Sequence, residues 1–188
     1  MAQKWYRKAT VQAALAGGIL AFAALIFSPL ITRTLEKLHD WITQRHTPEP
    51  CQRLAAGKVQ YYEAETAELF GDASNDTEHA GYSGKGYVSG YGGRPGTATT
   101  FLVDVPSAGE YQVVVCYANG TRGVKTLTIY VNNELVKQTR LSNASRWNIW
   151  MTKTEPLPLK MGLNMVSYRK DFGDNGDVNI DFIAITQK

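Results

Sequence analysis

The hydrophobic pattern of the chain changes twice along its length. From residue 9 to residue 31, "ATVQAALAGGILAFAALIFSPLI", no side chain is charged and few are polar. A run of about 23 residues makes a helix of roughly 34 Å, enough to cross a hydrocarbon core of about 30 Å. The next stretch, "TRTLEKLHDWITQRH" at residues 32–46, continues from Ile31 with Leu35, Leu38 and Ile42 at i+4, i+7 and i+11. That spacing predicts a short amphipathic helical stalk, lying on lipid headgroups or joining a second copy or a protein partner. "TPEP" ends the stalk because proline cannot continue a helix, and residues 47–58 read as a linker.

From residue 59 the period shortens to two. "TATTFLVDV", "GEYQVVVCYA", "VKTLTIYVN", "LNMVSYRK" and "DVNIDFIAIT" are rich in β-branched and aromatic residues, and "PSAGE", "ANGTRG", "VNNE", "KMGLN" and "GDNGD" punctuate them as turns. Alternation places Phe101, Val103 and Val105, and likewise Tyr111, Val113, Val115 and Tyr117, towards one core. Residues 59–188 therefore predict an all-β, two-sheet sandwich.

Charge sharpens this division. Lys4, Arg7 and Lys8 precede the apolar run, which by the positive-inside rule leaves residues 1–8 in the cytoplasm and the sandwich on the far side of a cell membrane crossed once. Ala21-Phe22-Ala23 offers a signal-peptidase site as the alternative, although the apolar run continues beyond it. Of the formal +3 charge, residues 1–46 hold six Lys/Arg against two Asp/Glu, and the remainder holds 14 against 15. The basic balance thus belongs to the membrane-flanking end, and no basic stripe on the sandwich points to nucleic acid. Outside the cytoplasm the two cysteines, Cys51 and Cys116, could form a disulfide; a buried free thiol at Cys116 is the other reading.

Three groups of residues could carry chemistry. In "VQYYEAETAELF", Glu63 and Glu65 stand two apart, on one face if the segment is a strand, and Asp181 interrupts the apolar "VNIDFIAI". If the first and last strands are neighbours, three carboxylates meet in an oxygen-rich site suited to Ca²⁺. Otherwise the glutamates are solvated and Asp181 pairs with a lysine. "YRKDFGDNGDVN" gathers Asp171, Asp174, Asn175 and Asp177, either as a second calcium loop or as ordinary Asx turns. "GYSGKGYVSGYGG" and "SNASRWNIWMT" place Tyr82, Tyr87, Tyr91, Trp147 and Trp150 in or beside loops, with Arg146 and amides adjacent. Rings next to amides and guanidinium groups can grip sugars; rings at strand ends can equally be core. Trp147 and Trp150 are three apart, so at most one of them serves as a platform. No zinc-ligand spacing, catalytic triad or phosphate loop is visible, and no catalytic residue is assigned.

Taken in order, "YEAETAEL", "GYSGKGYVSGYG", "TTFLVDVPSAGEYQVVVCYANG", "LTIYVNN", "RWNIW", "LKMGLNMVSY" and "GDVNIDFIAI" resemble a carbohydrate-binding module of family 35, in the clan of families 6 and 36. The resemblance implies a jelly-roll β-sandwich with a structural Ca²⁺ and no catalysis of its own. It matches Glu63, Glu65 and Asp181 to the calcium ligands, with carbonyls around Tyr82 to Lys85 completing the shell. It matches Tyr87, Trp147 and Asn175 to sugar contacts, with Asn119 beside them. It leaves Asp171, Asp174 and Asp177 for a second calcium, and Arg94, Arg122 or Arg146 for a sugar carboxylate. The implied partner is a glycan of uronic-acid or galactose type. The alternative is an interaction subunit of a membrane complex that keeps the calcium-stabilised sandwich without binding sugar. Such modules usually accompany an attached enzyme, whereas the apolar run at residues 9–31 predicts a membrane anchor for this one.

Overall fold

The computed structural model describes residue 51 and residues 59–187. The expected cytoplasmic segment, membrane helix and stalk, and most of the linker, lie outside the described residues. Among the described residues no helix is long and apolar enough to cross a membrane.

Eleven strands in the described region form two antiparallel sheets. The first contains β1 (Gln60–Glu63), β3 (Ser74–Asp76), β4 (Tyr87–Ser89), β6 (Gly109–Ala118), β9 (Trp150–Leu159) and β11 (Asn179–Gln187). The second contains β2 (Glu68–Phe70), β5 (Ala98–Val105), β7 (Lys125–Val131), β8 (Glu134–Leu141) and β10 (Gly162–Arg169). The strand orders are β3-β4-β11-β6-β9 and β2-β5-β10-β7-β8. β1 and β4 share the edge of β11 opposite β6, pairing with Phe182–Ile185 and Ile180 respectively.

The expected alternation holds. Phe101, Val103 and Val105 of β5 meet Tyr111, Val113, Val115 and Tyr117 of β6, all buried in the core between the sheets. The uninterrupted apolar run "VVVCYA" has a different cause: β6 is covered on its outer face too. There Val114, Cys116 and Ala118 pack with Phe182, Ala184, Tyr87, Trp150 and Cys51 in a second apolar cluster. A strand covered on both faces loses the polar half of its alternation. Cys51 and Cys116 are joined as a disulfide that pins Cys51 against this outer face.

β3, β4, β8 and β9 lay beyond the sequence reading, and the last two have clear physical reasons. β9, "WMTKTEPLPL", contains Pro156 and Pro158 yet pairs with β6 along its whole length. It is an edge strand, so the two missing N–H groups, two residues apart, fall together on its unpaired side. β8, the edge of the other sheet, turns Lys137 and Thr139 towards Glu155 of β9, and its apolar alternation is lost.

Candidate functional site

The opening glutamates reach their positions in an unexpected way. β1 ends at Glu63, and Ala64–Thr66 forms a 3₁₀ turn. The turn buries the small Ala64 side chain completely, and Thr66 Oγ1 closes it by donating to Glu63 O at 2.9 Å. One continuous strand face is therefore not what aligns Glu63 with Glu65. Both side chains instead reach the loop between β3 and β4. Ser83 Oγ donates to Glu63 Oε2 at 2.6 Å, and Lys85 N donates to Glu65 Oε1 at 2.7 Å.

Asp181 arrives from the last strand. Relative to β6, the register of β11 slips between Ile180 and Phe182, which leaves Asp181 as the extra residue of a β-bulge. The bulge lies where β4 gives way to β1 along the β11 edge. Asp181 is fully buried there, and Ser83 N donates to its two oxygens at 2.9 and 3.0 Å. Cys116 Sγ of the disulfide lies 3.4 Å from its Oδ2. Burial pushes the Asp181 carboxyl up to about 7, Ser83 N–H opposes this, and the nearby Glu63 and Glu65 raise it further.

Glu65 Oε2 is buried without a hydrogen-bond partner. Gly84, at φ +63°, passes so close that a Cβ there would lie 2.3 Å from Glu65 Oε1. The loop thus presents the Ser83 and Lys85 N–H groups to the acids. Among the described residues, no three His, Cys, Asp or Glu side chains are gathered tightly enough to hold a metal ion.

The second acidic group does not converge. Asp171 accepts from Tyr130 OH and Arg169 Nε, both at 2.5 Å. Asp174 is buried and accepts from Thr128 Oγ1, Asp171 N and Gln138 Nε2. These contacts tie the β10–β11 loop onto the second sheet. Asp177 faces elsewhere, 3.7 Å from Lys125 Nζ.

That other place is a cleft of about 290 Å³. Trp147 and His79 stand on one side, with ring centroids 5.8 Å apart and planes within 9° of parallel. Asp76, Asp177 and Asn179 supply polar groups, and Gly90, Gly92 and Gly93 supply bare backbone. Trp147 is half-buried and packs on Gly120, where a Cβ would come within 2.4 Å of the indole ring. Asp76 Oδ1 accepts from Thr77 N at 2.6 Å and Glu78 N at 2.9 Å. The Glu78 N–H in particular holds the Asp76 carboxyl below its usual value, against the opposing effect of burial.

The remaining expected contacts take up supporting positions. Tyr87 is fully buried beneath the cleft, packed near His79, Tyr82 and Trp150, and its OH accepts from His79 N at 3.2 Å. Asn119 is fully buried, its amide donating to Gly123 O and Leu141 O and its Oδ1 accepting from Thr121. It shapes the turn under Trp147. Asn175 spends Oδ1 on Thr126 and Nδ2 on Val124 O. Arg146 is exposed beside Trp147. Trp150 is core, its Nε1 donating to Ala80 O at 3.1 Å. Asp76, His79 and Asn179 were missed as site residues. The available signal was "NDTEH", an Asx-turn pattern ending in the only histidine beyond residue 46.

The sandwich has counterparts. Residues 60–187 match the carbohydrate binding module (family 35). A 1,6-alpha-glucosyltransferase from Sporosarcina globispora is 44% identical over 131 residues, covering 66% of this chain and 10% of that protein. The native structure of a family 35 carbohydrate binding module from Clostridium thermocellum aligns with a TM-score of 0.65 at 27% identity, over 70% of this chain and 100% of that one. A cycloisomaltooligosaccharide glucanotransferase from Paenibacillus sp., complexed with cycloisomaltoheptaose, aligns at 0.63 with 30% identity, over 66% of this chain and 18% of that one. The chain spans only 10–13% of the length of the curated relatives it matches first. With the match covering its whole two-sheet sandwich, the chain belongs to family 35 of the carbohydrate-binding modules.

Proposed function

We propose that the chain is a non-catalytic module that holds a neutral, glucose-type saccharide in the cleft between Trp147, Asp76 and Asp177. The observation that carries this reading is the pairing of a half-buried indole with two carboxylates across one small cleft. Sugar C–H faces pack on an aromatic ring, and ionised carboxylates accept hydrogen bonds from hydroxyls. Two acids at the rim also oppose a uronate, so the cleft favours uncharged sugars over acidic ones. The names of the relatives, a 1,6-alpha-glucosyltransferase and a cycloisomaltooligosaccharide glucanotransferase, point to α-1,6-linked glucans. Asp76 is held ionised by backbone N–H groups, which suits an acceptor and not a general acid.

Calcium belongs to this proposal as a structural ion. Glu65 Oε2 is orphaned and Asp181 is buried beside two further acids, and drawn together around an ion the three carboxylates would make an all-oxygen donor set. Glu63, Glu65 and Asp181 would hold the ion, which would supply the positive charge that this cluster lacks. Ser83 and Lys85 orient the acids through their N–H groups. The apolar run at residues 9–31 would anchor the module in a membrane, which alkaline carbonate extraction of the full chain tests.

Affinity electrophoresis tests the ligand. In gels containing dextran the full chain should be retarded, in gels containing polygalacturonate it should not, and Trp147→Ala should migrate freely in both. Retardation by polygalacturonate alone would overturn the choice of sugar, and free migration in dextran and every other neutral glucan would overturn glycan binding in this cleft.

A further inference from the structure

Exposed apolar side chains are spread unevenly over the sandwich. Among the described residues, no strand of the first sheet carries an exposed large apolar side chain. The second sheet carries four: Phe70 on β2, Leu102 on β5, Leu135 on β8 and Leu163 on β10. Leu102 alternates with buried Phe101 and Val103, and Leu163 pairs with exposed Asp104, so both point away from the core. Leu135 pairs with Tyr130, which alternates with buried Ile129 and Val131 and faces the same way. Apolar groups gathered on one sheet face mark a contact surface. The most exposed of all, Phe172 at 95%, stands in the loop after β10.

Phe172 is braced in that exposed position. Asp174 N donates to Asp171 O at 3.0 Å, closing a turn with Phe172 and Gly173 at its tip. Tyr130 OH donates to Asp171, while Thr128 Oγ1 and Gln138 Nε2 donate to Asp174. These three donors stand on β7 and β8, on the side away from the buried Ile129 and Val131, so the turn rests on the outer face of the sheet. Beside it lies a hollow of about 150 Å³, lined by Phe70, Met165 and Tyr130 among others. The register explains the hollow: Glu68, Thr100, Ser167 and Tyr130 form one row across four strands, with the small residues in the middle. One face thus carries a fixed aromatic knob and, next to it, an aromatic-walled space that suits one ring.

We propose that this face joins two copies of the chain, with Phe172 of each copy filling the hollow between Phe70 and Tyr130 of the other. The strand order β2-β5-β10-β7-β8 puts β10 at the centre of the face. A two-fold axis along β10 lays the β7–β8 half of one copy over the β2–β5 half of the other, with the strands aligned as in stacked sheets. Knob then meets hollow on both sides of the axis. The charges also fit. Glu68 on β2 and Arg140 on β8 lie at opposite edges, and neither has an ion pair among the described residues. Arg140 faces the same way as Gln138 by alternation, and the rotation brings the acidic edge of each copy over the basic edge of the other. A lipid surface fits less well. The Arg169 charge is neutralised by Asp171, and Glu68 and Asp104 would oppose anionic headgroups. Two copies joined this way present two Trp147 clefts to one polysaccharide, which raises avidity without a new contact. That consequence rests on the function proposed for the cleft; the interface does not.

Sedimentation equilibrium of the full chain in density-matched detergent tests the interface, with chemical cross-linking in phosphatidylcholine vesicles as a second measurement. The wild type should show a monomer–dimer equilibrium and a cross-linked dimer. Phe172→Ser, at a position exposed to water, should leave the melting temperature unchanged and weaken the dimer about tenfold or more. Glu68→Arg and Arg140→Glu should each weaken it, and the two combined in one chain should restore it, a reversal that misfolding cannot produce. A wild-type monomer in both measurements would overturn the proposal. A dimer that Phe172→Ser and Glu68→Arg leave intact would also overturn it and assign association to the stalk. Phe172→Trp in vesicles containing brominated anionic lipid covers the remaining case. Stronger quenching of its fluorescence than of the wild type's would overturn the interface in favour of a membrane contact, and equal quenching would support it.

Discussion

Asp181 offers the sharpest physical test, because its environment assigns opposite pH responses to two states of the protein. In the chelated state its carboxyl titrates at about 7, against an ordinary value of 3.8. A carboxyl whose folded value is raised stabilises the fold only while protonated, so stability is lost as pH rises from the unfolded value through the folded one. The full cost above pH 7 is on the order of 4 kcal/mol, and about 2–3 kcal/mol of it falls between pH 5 and pH 8. Asp181→Asn keeps the shape and removes the charge. Urea unfolding of the full chain in chelator, followed by near-UV circular dichroism, should show wild-type stability falling across this range relative to Asp181→Asn. In millimolar calcium the ordering should reverse at pH 8, because the ion stabilises only the carboxylate. Parallel wild-type and variant curves in chelator would show that Asp181 does not carry a buried charge among acids.

Three further outcomes concern close approaches and a cross-link. Gly120→Ala places a Cβ within 2.4 Å of the Trp147 ring; it should cut dextran retardation by roughly tenfold or more, equivalent to about 1.4 kcal/mol or more, while barely moving the melting temperature. Gly84→Ala combines a left-handed φ of +63° with a contact onto Glu65; it should cost about 1–3 kcal/mol by urea unfolding and lower calcium affinity measured by calorimetry. The Cys51–Cys116 bond closes a loop with a sequence separation of 65; replacing both with serine should lower stability by roughly 4 kcal/mol. Unchanged unfolding curves in the serine pair would contradict the pinning of the outer face.

How much could be read from sequence depended on how local each signal was. The sandwich was legible because Phe101, Val103 and Val105 alternate with exposed neighbours, a pattern that one strand carries by itself. β9 was not, because Pro156 and Pro158 argue against a strand until its edge position is known. The acid pair at Glu63 and Glu65 was visible from spacing, but the geometry inferred from it was a strand face where the chain forms a 3₁₀ turn around Ala64. Asp181 stood out as a lone charge in an apolar strand, though the bulge that aims it depends on pairing with β6.

The cleft was the least legible feature. It needs Asp76 from the end of β3 and His79 from the loop that follows, Trp147 from a second loop, and Asp177 from a third, and only the folded register brings these together. Tyr87 and Asn119 illustrate the same limit. Residues beside a site and residues supporting it from below look alike in sequence, and both of these are fully buried. The disulfide also waited on tertiary structure, since nothing near Cys51 in sequence shows that it lies against β6.

The central claim is that a saccharide ring sits in the cleft formed by Trp147, Asp76 and Asp177. A crystal structure of the chain grown with isomaltotriose and calcium chloride tests it most directly. The expected density is a glucose ring stacked on the Trp147 indole, with hydroxyls within hydrogen-bond distance of the Asp76 and Asp177 carboxylates. A bound sugar found elsewhere, with this cleft holding only water at saturating ligand, would contradict the account.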